Sequence, residues 1–171
     1  MLHLPECPPQ VLCLTEHHLK DFEIYNLCIK NYKLVAYYCR KTHKLGGVRI
    51  YVQDYLSCTP IGLTKCCNEL DLEVCALKIN DSKNVFCITC IYRPPTGNFG
   101  TFIYLLQSAL DKLHSNSINF INCGDVNINY LKDSNYKTKL NSLLATYNLH
   151  SAVDFPTRVT ESPPQQLIIF F

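Results

Sequence analysis

No uninterrupted apolar run in the chain approaches the ~20 residues that span a bilayer. The N-terminus, Met1-Leu2-His3-Leu4-Pro5-Glu6, lacks the basic region and long apolar core of a secretory leader. An intracellular setting, nuclear or cytoplasmic, with no membrane partner, is therefore expected. Net charge is nearly absent too: +2 is too small to identify a nucleic-acid binder by electrostatics alone. Internal repeats and linkers are missing, so the 171 residues read as one domain, long enough to bury a real core. With 47% hydrophobic and 18% charged residues, the composition is globular and excludes a disordered chain.

Cysteine is plentiful, but the pattern of a disulfide scaffold is absent. The eleven cysteines are odd in number, show no repeated spacing and lie largely inside apolar runs, where free cysteine acts as a small buried hydrophobe. Cys87-Ile88-Thr89-Cys90 has the spacing of a metal or redox pair. It falls in a strand-like run, however, where residues three apart face opposite sides. No second such pair follows, and Cys66-Cys67 has no evident partner, so a zinc site is not expected.

Apolar alternation predicts strands over 11–14, 33–39 and 48–52. The runs 72–79 and 85–92, separated by the polar cluster Asn80-Asp81-Ser82-Lys83-Asn84, predict a hairpin. Two prolines make Arg93-Pro94-Pro95-Thr96-Gly97-Asn98 a loop. Phe102, Leu105, Leu106, Ala109, Leu110 and Leu113 follow helical spacing, and Leu140, Leu143, Leu144 and Tyr147 form a second, shorter stripe. Between them 118–123 returns as a strand, giving a mixed α/β order.

The most informative stretch is Ile121-Asn122-Cys123-Gly124-Asp125-Val126-Asn127. A strand runs to a glycine, then presents a carboxylate and a carboxamide two residues apart, on the same side of extended backbone. Such a pair can hold a water and a phosphate oxygen near a hard cation. The plainer reading is an Asp/Asn turn that closes a strand. His17-His18 reads as a solvent-facing loop pair, because adjacent side chains diverge and rarely bind one ion. Arg40, Lys41 and Lys44 read as a modest basic cluster that could meet a DNA backbone.

Five segments in order resemble the endonuclease/exonuclease/phosphatase superfamily, and most closely the endonuclease domain of non-LTR (LINE-type) retrotransposons. They are Leu14-Thr15-Glu16, Gly46-Gly47-Val48-Arg49-Ile50, Ile91-Tyr92-Arg93-Pro94-Pro95, Gly124-Asp125-Val126-Asn127 and Phe155-Pro156-Thr157-Arg158. The resemblance implies a four-layered α/β sandwich, two packed mixed sheets flanked by helices with a site at one rim. It also implies a Mg²⁺-dependent phosphodiesterase that nicks DNA, with Mn²⁺ as a possible substitute. Glu16 would bind the metal, Asp125 would orient or deprotonate the attacking water, and Asn127 would donate to a phosphate oxygen. Tyr92 would add a phenol donor, and Thr157 would touch the phosphate or a neighbouring side chain. DNA is the implied partner, with a reverse transcriptase domain in the parent element.

The departures shape a second expectation. Family members open with an asparagine-bearing strand, carry an Ile-Asp pair after the Pro-Thr-Arg segment, and close with Ser-Asp-His. Here Gln165-Gln166-Leu167-Ile168-Ile169 stands where the Ile-Asp pair belongs, and the other two segments have no counterpart. Residues 1–171 are thus expected to be a single, partial domain, an incomplete sandwich cut at both ends. Impaired catalysis is expected, the alternative being a non-catalytic remnant with residual nucleic-acid or protein binding.

Overall fold

Alternation in Val48-Arg49-Ile50-Tyr51-Val52 sends the two valines and Ile50 to one face of a strand and Arg49 and Tyr51 to the other. In the computed structural model, which describes residues 8–80, 84–115 and 118–152, this strand is β3 (Val48–Gln53). It lies between β1 (Val11–Thr15) and β2 (Tyr32–Tyr38) in an antiparallel three-stranded sheet. A four-stranded sheet follows in the order β4 (Cys58–Ile61), β5 (Glu73–Asn80), β6 (Val85–Tyr92), β7 (Asn119–Asp125). β5 and β6 form the expected hairpin, whereas β6 and β7 run parallel. The crossover between these two carries α1 (Phe99–Leu113), as parallel pairing requires.

The two sheets pack face to face. Val48, Ile50 and Val52 meet Cys75, Leu77, Ile79, Ile88, Cys90 and Tyr92 in one apolar layer. The opposite face of the second sheet, with Val74, Ala76, Cys87 and Ile91, takes Phe102, Leu106 and Leu110 of α1. Leu140 and Leu144 of α2 (Asn135–Thr146) join the same layer. Asn98 caps α1 by accepting from the Thr101 N–H, and Ser134 caps α2 by accepting from the Lys137 N–H. On the outer face of the first sheet Tyr32 and Tyr51 pack with Ile29, and the Tyr51 hydroxyl donates to the Leu27 carbonyl at 2.7 Å. This is an α/β fold of two stacked sheets with helices outside.

Three expectations shift. β4 went unread because Pro60 sits in it; the strand tolerates proline as the edge of its sheet, paired on one side only. β7 runs on through Gly124 to Asp125 instead of stopping at Cys123. α2 ends at Thr146, leaving Tyr147 as its C-cap. Cys87 and Cys90 do face opposite layers, and among the described residues every cysteine is free. No helix among the described residues is long and apolar enough to cross a membrane.

Candidate active site

β1, β6 and β7 end at one rim, and three of the five expected residues sit at those ends. Glu16 follows the last residue of β1 in a left-handed conformation (φ 52°), its side chain exposed. Tyr92 closes β6, is buried, and donates its hydroxyl proton to Glu16 Oε1 at 2.7 Å. Asp125 closes β7 directly opposite Tyr92 in the parallel register. Asn127, also left-handed (φ 50°), folds back behind it. Its N–H donates to Asp125 Oδ1 at 2.8 Å, and its carboxamide Nδ2 donates to the Arg93 carbonyl at 2.9 Å. Four residues from three distant segments are therefore linked through Tyr92 and Arg93. Thr157 lies outside the described residues.

The local reading of Asp125 and Asn127 holds as well, since their mutual bond is an Asx-type turn. That turn leaves the second amide hydrogen of Asn127 beyond its bond to Arg93. Burial, reinforced by the Glu16 carboxylate, pushes the Tyr92 phenol well above its ordinary value, so it remains a proton donor across ordinary pH. Arg93 is structural: it is buried and donates to the carbonyls of Val126 at 3.2 Å and Gly97 at 3.0 Å.

The basic loop before β3 differs from its sequence reading. Arg40 turns inward, buried, and its Nε donates to Glu73 Oε1 at 2.6 Å. Glu73 is fully buried, is the cross-strand partner of Tyr92, and also accepts from the Gly47 N–H at 2.5 Å. Burial pushes the Glu73 carboxyl up, against the opposing pull of the Gly47 N–H and the Arg40 charge. His17 is not solvent-facing. Its Nδ1 accepts from the Leu19 N–H at 3.0 Å, so Nε2 carries the proton and donates to the Tyr38 carbonyl at 3.1 Å. Burial lowers the His17 pKa, and the Arg49 charge acts in the same sense. Sequence reasoning missed Glu73, although a lone carboxylate inside Leu72-Glu73-Val74-Cys75-Ala76-Leu77 was the available signal.

The donors at the rim are oxygens: the Glu16 and Asp125 carboxylates, the Tyr92 phenol and the Asn127 carboxamide. Among the described residues no hydrogen bond engages Glu16 Oε2, and no group of three or more His, Cys, Asp or Glu side chains forms a metal cage. A hard cation that keeps most of its waters and takes one or two carboxylates fits this set; a thiol- or imidazole-seeking metal does not.

Comparison with solved structures decides the architecture. The endonuclease domain of TRAS1, a telomere-specific non-LTR retrotransposon, superposes with a TM-score of 0.73 at 14% identity, over 94% of this chain and 71% of that one. An endonuclease/exonuclease/phosphatase family protein from Leptotrichia buccalis gives 0.59 at 12% identity, over 94% and 75%. The chain has the endonuclease/exonuclease/phosphatase fold. A third protein with this fold, D. rerio TDP2 complexed with a single-strand DNA product, gives 0.56 at 12% identity, over 95% and 70%. No protein-family model and no curated protein sequence matches the chain.

Proposed function

We propose that the chain is a Mg²⁺-dependent phosphodiesterase of DNA endonuclease type, derived from a non-LTR retrotransposon. One observation carries this reading: Tyr92 bonds Glu16 from 76 positions away while Asp125 stands beside Tyr92 in register. Glu16 would hold the cation, with Asp125 at the edge of the same oxygen-lined rim. Bound there, Mg²⁺ or Mn²⁺ would polarise a phosphoryl oxygen and stabilise charge on the leaving oxygen. Asp125 would orient the attacking water and accept its proton. Asn127 would offer its second amide hydrogen to a phosphate oxygen as charge builds. Tyr92 has one hydroxyl proton, so donating to the phosphate means leaving Glu16 Oε1. Thr157 is assigned a phosphate contact by its segment alone. The substrate would be DNA inside the cell, nuclear or cytoplasmic, with a reverse transcriptase domain as partner in the parent element.

The test is nicking of supercoiled plasmid with Mg²⁺ or Mn²⁺. Asp125→Ala is expected to lower the rate by ~10²-fold or more, and chelation of the metal to abolish it. Intact plasmid after incubation with well-folded native protein would overturn the proposal. Salt-sensitive DNA binding without turnover would instead assign the chain a binding role.

A further inference from the structure

We infer that the buried Arg40–Glu73 pair is a positioning device for Glu16, acting through the Gly46-Gly47 turn and the His17 ring. This rests on the reading of Glu16 as the metal carboxylate, and it adds two residues that touch neither metal nor substrate.

The relay can be followed contact by contact. Glu73 Oε2 takes the Gly47 N–H, Oε1 takes the Arg40 guanidinium, and Arg40 Nη1 donates to the Lys44 carbonyl at 3.1 Å. Both ends of the diglycine loop are thus fixed from inside the protein. The two glycines are then filled by neighbours that need their missing side chains. A Cβ on Gly46 (φ +82°) would fall 2.4 Å from Arg40, and one on Gly47 (φ +91°) would fall 2.3 Å from His17. His17 therefore lies on the Gly47 backbone, pinned by Tyr38 and Leu19, while the His18 N–H donates to the Gly46 carbonyl at 2.8 Å. Glu16 precedes these two residues and is held left-handed, as is His18 (φ 61°). Left-handed backbone at two non-glycine residues persists only where surroundings over-determine it, and the diglycine turn supplies that constraint. Its far end, Glu73, lies across the β5–β6 pair from Tyr92, the residue that receives Glu16. Glu73 thus fixes the turn that sets Glu16 and neighbours the phenol that binds it.

The experiment reads the Tyr92–Glu16 hydrogen bond directly, in the full chain without metal or DNA. The ring Cζ resonance of ¹³C-labelled Tyr92 is assigned by its loss in Tyr92→Phe, and its shift without the bond is taken from Glu16→Ala. In Arg40→Met/Glu73→Leu both buried charges go together, a replacement that commonly preserves stability, and Tyr92 is expected to move to the Glu16→Ala position. His17→Ala, which leaves the buried pair intact and cuts the relay at a half-buried residue, is expected to do the same. A Tyr92 resonance that stays native in His17→Ala, or in the double variant at unchanged melting temperature, would overturn the inference. In nicking assays the double variant should need 10–100-fold more Mg²⁺, the scale of a lost outer-shell contact. A native protein that never nicks, with Tyr92 responding as described, would sink the nuclease reading and support the positioning one.

Discussion

A methyl group added at Gly124 would stand 1.8 Å from the Ile91 carbonyl oxygen, on backbone at φ +138° where side chains are rarely tolerated. The glycine lets β7 pass close to β6 just before Asp125. Gly124→Ala is expected to destabilise the protein by about 3 kcal/mol or more, combining backbone strain with a clash against main chain; urea unfolding midpoints measure it. At this scale much of the site was legible. Segment order singles out Glu16, Tyr92, Asp125 and Asn127, and the strand that runs to a glycine marks Gly124. Arg40 and Glu73 were not legible: nothing in a linear reading tells a buried arginine from a solvated one, and a lone carboxylate in the apolar run of β5 signals burial without naming its partner. Their pairing spans 33 positions and exists only once β5 lies beside the loop.

The loop between β2 and β3 is closed by one carboxylate. Glu69 accepts the backbone N–H groups of Lys41, Thr42 and His43 as well as the His43 ring. Burial alone would raise its pKa, but these donors outweigh it and pull the carboxyl from 4.5 down to about 2. A depressed folded pKa means the stabilisation is full above the unfolded value and fades as pH falls from about 4.5 towards 2. Native protein should therefore unfold more readily over that window, while Glu69→Gln, less stable at pH 7, should converge with it at low pH. Urea titrations at stepped pH check both. For α1, Asn98→Ala removes the acceptor for the Thr101 N–H and should cost about 1 kcal/mol. All six expected strands agree with observed ones to within about two residues. The apolar stripes locate both helices, though α1 and α2 start at Phe99 and Asn135, ahead of the first stripe residues Phe102 and Leu140. β4 could not be read, since a four-residue edge strand containing proline has neither the length nor the composition of the others.

At the scale of the molecule, one sheet serves two apolar layers: Leu77 points into the layer between sheets, and Ala76 beside it into the layer under the helices. The layers cannot separate without dissolving β5, so unfolding should be a single transition. Leu77→Ala and Phe102→Ala, one in each layer and both fully buried, should each cost about 2–5 kcal/mol. Each should shift far-UV circular dichroism and tyrosine fluorescence to the same new midpoint; separated midpoints would contradict the shared-sheet picture. The two-sheet architecture was legible only through the order of five segments, since alternation identifies strands but not which strands stack. Ribosomes deliver roughly 5–20 residues per second, so Glu16 emerges seconds before the phenol that will hold it. β1 must wait for β3, then for the β5–β6 hairpin, and last for β7 to bring Asp125 and Asn127 alongside. No nascent chain stalled before Asn127 can carry the assembled rim, so the candidate site stays incomplete until the sandwich has formed.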